Sequence, residues 1–118
     1  MKFKILLYIL GKKLMKKAKT RADFKKKISE KNCTIQIKTA DNKIGRYYTF
    51  SNGAVTSTGG IAPNPTAAMV WIDAATAFKV LASGDDTKGM QAFQDGSLKL
   101  EGDPETAFWF TEVAKQLK

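Results

Sequence analysis

Eighteen residues near the end of the chain, MQAFQDGSLKLEGDPETA from Met90 to Ala107, leave the backbone few architectures to choose from. Met90 and Phe93 stand three apart, the spacing of apolar neighbours on one helix face. Gly96 supplies the left-handed residue that closes a helix. From Ser97 to Glu101 the residues alternate, with Leu98 and Leu100 on one side and Lys99 and Glu101 on the other, as a half-buried strand requires. Gly102 turns the chain, Asp103 is fit to cap a helix and Pro104 to begin it. The order helix, strand, helix within so short a stretch reads as α+β.

The same reading extends through the rest of the chain. Over residues 2–19, at about 100° per residue, Phe3, Leu6, Leu7, Leu10, Leu14 and Ala18 fall on one helical stripe. Lys12, Lys16 and Lys19 fall opposite it, while Ile5, Tyr8 and Ile9 make the first turns apolar nearly all round. Thr20 with Asp23 resembles a weak capping box for a second helix, whose apolar side is Phe24 and Ile28. Cys33 to Thr39 alternates as a strand, Asp41 and Asn42 mark a turn, and Ile44 to Ser51 reads as a second, aromatic strand. Asn52-Gly53 predicts a tight hairpin, because both turn residues need positive φ, and Ala54 to Thr58 is the returning strand. Gly59 to Pro65, GGIAPNP, is a surface loop. Ala67 to Ile72 reads as a strand, followed by a helix capped by Asp73 or Thr76 and ended at Ser83-Gly84. A short helix begins at Asp85 or Asp86 and runs through Phe93. A last helix runs from Pro104 to about Leu117, with Ala107, Phe110, Val113, Ala114 and Leu117 as its core stripe, Trp109 at the edge and Phe108 on the opposite, polar side.

Charge divides the chain unevenly. Residues 1–31 carry twelve Lys or Arg against two acids, a net of +10, and residues 32–118 carry eight against nine, a net of −1. The expectation is a basic amphipathic helical arm over 1–31 and one globular domain over 32–118. Such an arm suits an anionic partner, either membrane headgroups or nucleic acid. The first residues, MKFKILLYILGKK, imitate a secretory signal, but the apolar run is too short, basic residues crowd after it and no small-residue cleavage site follows. It is also far shorter than the roughly 20 apolar residues of a membrane span. These features predict a cytoplasmic protein, peripheral at the membrane, without a cleaved leader.

Most chemistry is excluded by residue type. The chain has no histidine and one cysteine, Cys33, which removes the usual neutral-pH base, the common triads, a disulfide framework and His-containing metal sites. GDDTKG, from Gly84 to Gly89, is acidic and lacks the Gly-Lys-Ser/Thr order that cradles a phosphate. Asp85, Asp86, Asp103 and Glu105 suit helix N-termini, and Cys33 opens an apolar strand as a small core residue. No catalytic residue, metal site or cofactor is predicted. What remains is a constellation of apolar residues: Met69 and Trp71 on one strand face, then Phe78, Leu81, Met90, Phe93, Leu98, Leu100, Phe110, Val113 and Leu117. Periodicity does not distinguish a solid core built from them from a lined cavity.

Three segments in order, GRYYTFSNG, AMVWID and above all AFQDGSLKLEGD, make residues 33–118 resemble the sterol carrier protein type 2 family of lipid-binding domains. The resemblance implies a mostly antiparallel sheet of about five strands covered on one face by helices. A lipid tail or sterol would lie between helices and sheet, with the C-terminal helix helping to gate the cavity. Trp71, Phe78, Leu81, Met90, Phe93, Leu98, Leu100, Phe110, Val113 and Leu117 would then line or close it. Lys-Gln-Leu-Lys at the end differs from a peroxisomal Ser-Lys-Leu signal, and the lysine-rich arm lies outside the shared pattern. The reading is non-catalytic binding or transfer of an elongated apolar ligand such as a sterol, fatty acid or acyl-CoA. The arm would meet anionic membranes through Phe3, Leu6, Leu7, Leu10 and Leu14 with Lys12, Lys13 and Lys16. Two alternatives stand beside it: a solid-cored interaction module that dimerises through the first helix, and a small nucleic-acid-binding protein. The second is disfavoured by the scarcity of arginine, with Arg21 and Arg46 alone, and by an apolar arm face that has no stacking role.

Overall fold

The structure, a computed structural model, describes residues 2–117. In chain order it contains α1 (Lys2–Thr20), α2 (Ala22–Ile28), β1 (Cys33–Thr39), β2 (Gly45–Ser51), β3 (Ala54–Gly59) and β4 (Ala67–Trp71), then α3 (Ala74–Ser83), α4 (Asp86–Asp95), β5 (Leu98–Gly102) and α5 (Pro104–Lys115). The strands form one sheet in the order β3-β2-β1-β4-β5. The central β1–β4 pair is parallel and the other three pairs are antiparallel. This is the mostly antiparallel, five-stranded α+β arrangement that the family resemblance implies.

Local chemistry sets the element ends. Asn52 and Gly53 both take positive φ, 52° and 80°, in the hairpin joining β2 to β3. Asp73, Asp85 and Asp103 each accept a bond from a backbone N–H one turn into the following helix, those of Thr76, Thr87 and Thr106. The capping box expected at Thr20 does not form. The Thr20 hydroxyl donates back to the Lys16 carbonyl, and Arg21 occupies the cap position of α2 without a side-chain bond. Gly102 is required where β5 meets α5: its φ is +81°, and a Cβ there would stand 2.5 Å from the Thr66 carbonyl oxygen.

Register decides which residues look inward. Ile35 pairs with Tyr48 on one side and Ala67 on the other, Thr39 with Trp71, Trp71 with Leu98, and Met69 with Leu100. Paired residues share a sheet face, so all of these point to the side covered by helices. There α1 lies over β2 and β3, α5 over β1, β4 and β5, and α2 touches both helices. α3 joins α1 to α4, which rests on β5.

The opposite face carries the connection from the edge strand β3 back to β4. Gln36, on that face, is fully buried beneath it. Its amide nitrogen donates to the carbonyls of Ile37, Arg46 and Gly60, and its oxygen accepts from the Ala62 N–H. One glutamine thus fastens the GGIAPNP loop across the sheet and satisfies polar groups that the crossing would otherwise bury unpaired.

The first helix departs from the expected arm. Phe3, Leu7, Leu14 and Ala18 belong to the same buried cluster as Ile35, Phe50, Trp71 and Phe110. Gly11 is buried against β2 and β3, where a Cβ would meet the Ser57 Cβ at 2.8 Å and Tyr48 Cε1 at 3.1 Å. α1 is therefore packed as one layer of the core, with α2 against it. An apolar stripe finds the nearest apolar surface, and the sheet offers one within the same chain.

Candidate functional site

The functional candidate is the interface between the sheet and its helices. Its centre is aromatic: Phe50 meets Trp109 edge-on at 5.2 Å, and Tyr48 stacks on Phe110 at 6.1 Å with 12° between the rings. Such pairs add to the burial of their apolar area. Toward β4 and β5 the packing changes character. Trp71, Leu98, Phe110 and Val113 are buried, while Met69, Phe78, Leu81, Leu100 and Leu117 pack against them only partly covered. Eight of the ten residues expected at a cavity are thus brought to one continuous apolar region.

Met90 and Phe93 are the two that the structure does not bring there. They stand on the outward side of α4, 56% and 46% exposed. Ala92 is buried on the other side of that helix. Half-buried Gly89 stands one turn before Ala92, and α4 rests on β5. The spacing of Met90 and Phe93 is helical but does not say which side faces the sheet. Phe108 projects to solvent from α5, as its place on the polar side predicts, with 57% of its surface exposed.

Trp71 carries a feature that pattern does not reveal. The residue is 1% exposed, and its indole N–H has no hydrogen-bond partner, the one such buried side-chain group among the described residues. A buried donor without an acceptor is costly. This donor sits at the end of β4, on the helix-covered face, next to the partly covered apolar residues.

The shifted titratable groups among the described residues are buried or serve as caps and ties. Burial pushes the Cys33 thiol up to about 11, so it stays protonated at neutral pH. Burial likewise raises the Tyr48 phenol. Asp73 is held below the usual carboxylate range chiefly by the Thr76 N–H, and Asp103 by the Thr106 hydroxyl, both in capping roles. Glu112 is lowered by Lys27, whose ammonium lies 2.9 Å away and ties α2 to α5. Beside it, the Trp109 indole donates to Glu30 at 3.3 Å. Among the described residues no cluster of three metal-ligating side chains occurs.

The predicted membrane residues separate into two groups. Lys12, Lys13 and Lys16 are exposed, whereas Phe3, Leu7 and Leu14 face the core and Leu6 and Leu10 are half-buried. The stripe assigned to a bilayer is therefore occupied by the sheet. The outward side of α1 instead presents Ile5, Tyr8 and Ile9, each 44–56% exposed, in line with Lys12, Lys16 and Lys19. No helix among the described residues is long and apolar enough to cross a membrane.

Known proteins give a concordant picture. The sequence model of the SCP-2 sterol transfer family matches residues 11–115. A comparison with curated protein sequences gave no match. Among solved structures, "UbiJ-SCP2 Ubiquinone synthesis protein" is similar with a TM-score of 0.67 at 16% identity, over 95% of this chain and 87% of that one. Sterol carrier protein 2 from Yarrowia lipolytica, in its apo form, gives 0.66 at 14% identity, over 96% and 89%. Palmitated SCP2L2 from Aedes aegypti gives 0.51 at 14% identity, over 89% and 90%. At these identities the structural likeness establishes the fold, and it includes the first helix.

Proposed function

Because the chain belongs to the SCP-2 sterol transfer family, we propose that it binds an elongated apolar molecule between its helices and sheet, without catalysing a reaction on it. The observation that carries this reading is the unpaired indole N–H of Trp71 at the edge of the partly covered region of Met69, Phe78, Leu81, Leu100 and Leu117. A lipid supplies what that combination lacks: a chain to complete the apolar packing and one oxygen to accept the indole proton. Each buried methylene is worth about 0.8 kcal/mol, so a long chain binds usefully with a single polar contact. Neighbours of the same fold named for a sterol carrier, for a palmitated protein and for ubiquinone synthesis support the ligand class: sterol, fatty acid, acyl-CoA or prenylated quinone. Membrane association is the second part of the proposal, through the outward face of α1. Ile5, Tyr8 and Ile9 supply apolar contact and the lysines attraction to anionic headgroups, each worth about 1 kcal/mol near such a surface.

Native mass spectrometry of gently purified protein, with uptake of a fluorescent fatty acid, tests the reading. A co-purifying lipid and saturable uptake support it. A ligand-free protein that takes up neither fatty acids nor sterols refutes it, and a fixed dimer found with that result favours an interaction module.

A further inference from the structure

The N-terminal half of α1 passes the β1–β2 turn and the loop that follows β3, and a surface cleft of about 340 Å³ lies between them. Lys4, Lys43 and Arg46 line it together with Leu7, Ile44 and Ile61, and no carboxylate is among the lining residues. Among the described residues none of these three cations has an ion-pair partner. Arg46 is held in place: its Nη1 donates to Ser57 Oγ at 2.8 Å, and its guanidinium carbon lies 5.2 Å from the Tyr8 ring centre. Asp41 is the acid that stands near Lys43: its carboxylate accepts from the Thr39 hydroxyl at 2.7 Å and from the Lys43 N–H at 3.0 Å and feels the Lys43 charge, but it forms no ion pair with Lys43 and does not line the cleft. Close backbone approach shapes the rim, because a Cβ at Gly45 would stand 2.7 Å from Ile61 Cδ1 and 3.1 Å from the Gly60 carbonyl.

The cleft has a definite place relative to the interior. Arg46 pairs with Ile37 and so points to the helix-covered side. Two residues beyond Ile37, Thr39 pairs with Trp71 and donates its N–H to the Ile44 carbonyl. The basic cleft and Trp71 therefore lie at the same end of the sheet. Three cations beside apolar, low-dielectric walls concentrate positive potential, and Arg46 keeps N–H groups for the paired bonds that a carboxylate or phosphate accepts.

We propose that the cleft formed by Lys4, Lys43 and Arg46 binds the anionic headgroup, carboxylate or phosphate, of a single-chain amphiphile, with Ile44 and Ile61 beside the first carbons of its tail. The tail rests on the lipid-binding reading above, and the headgroup site rests on the charge and geometry of the cleft.

The test compares hexadecanoic acid with hexadecan-1-ol, the same chain without the charge, by titration calorimetry. Wild type binds the acid about ten-fold more tightly than the alcohol. K4Q/K43Q/R46Q abolishes that preference, and K79Q/K88Q/K99Q, an equal loss of exposed charge away from both the cleft and the outward face of α1, keeps it. K4Q/K43Q, which spares the Arg46–Ser57 bond, reduces the preference, and thermal melts accompany every variant. Phosphatidylcholine vesicles with and without lysophosphatidic acid, a single-chain amphiphile with a phosphate headgroup, identify the source of the headgroup. Cleft-specific loss of binding to the anionic vesicles, with the preference for free acid intact, assigns the site to a membrane lipid and also supports the proposal. Equal affinity of wild type for acid and alcohol with no cleft-specific loss on vesicles overturns it, as does equal weakening by the cleft and control variants. A wild type that binds neither chain refutes the lipid reading instead, and the vesicle comparison then decides for the cleft.

Discussion

The Tyr48 hydroxyl donates to the Leu7 carbonyl oxygen at 2.6 Å, a buried bond from the middle of β2 to the second turn of α1. It fixes the helix along its own axis, which apolar packing does weakly. Tyr48→Phe keeps the ring against Phe110 and removes the bond. The expected cost is about 1 kcal/mol, a fall in Tm of roughly 3–6 °C for a chain of this size, read by circular dichroism.

Gly11→Ala tests the closeness of the same contact. In an exposed helix that exchange stabilises by about 1 kcal/mol. Here the added Cβ meets Ser57 and Tyr48 Cε1, and overpacking costs about 1–3 kcal/mol. The sign therefore reverses, and the melting temperature falls.

The two sides of α1 respond differently to serine. Leu7→Ser and Leu14→Ser each place a hydroxyl in the core and lose about 2–5 kcal/mol, enough to unfold much of the population. Ile5→Ser with Ile9→Ser changes the melting temperature little and weakens binding to anionic vesicles, measured by co-sedimentation. Vesicle binding that survives the outward pair removes the membrane role of this face.

The ten elements were legible in the sequence because each end carries its own chemistry, as in Asn52-Gly53 or Gly102-Asp103-Pro104. The side that each helix buries was less so. Phe3, Leu7 and Leu14 make a stripe that suits a bilayer and a sheet equally, and what decided between them is the Gly11 notch facing Ser57. On α4 the reading chose the large residues Met90 and Phe93, where the structure buries Ala92. The inward placement of the strand residues Trp71 and Leu98 was readable because period-two alternation fixes the face. The missing acceptor of Trp71 and the convergence of Lys4, Lys43 and Arg46 arise from chain segments about 40 residues apart, and no local pattern encodes them.

Phe93→Ser follows from that difference. The side chain is nearly half exposed, so the variant folds with stability within about 0.5 kcal/mol of wild type. Chemical denaturation measures it, and a large loss places Phe93 in the core after all.

Stability against pH has two limbs and a plateau. Asp41, Asp73, Asp95, Asp103 and Glu112 are held below their ordinary values by hydrogen bonds, chiefly from the Thr39 hydroxyl, the Thr76 N–H, the Ser97 hydroxyl, the Thr106 hydroxyl and the Lys27 ammonium in turn. Their contribution is present above the unfolded values and is lost as pH falls through the folded ones. Cys33 is raised from 9.0 to about 11 by burial, so its contribution is full below 9.0 and lost as pH rises through about 11. With no histidine in the chain, Tm stays level from about pH 5 to about pH 8 and falls on both sides. A steep change near pH 6.5 in a series of melts contradicts this assignment.

Leu7 and Tyr48 are 41 residues apart in the chain, and that separation matters while the protein is being made. Synthesis proceeds at about 5–20 residues per second, so α1 precedes its partner strand by about 2–8 s. During those seconds Phe3, Leu7 and Leu14 form an uncovered stripe on a cationic helix. The nascent chain thus exposes briefly an apolar stripe that the finished protein conceals by folding a sheet against it.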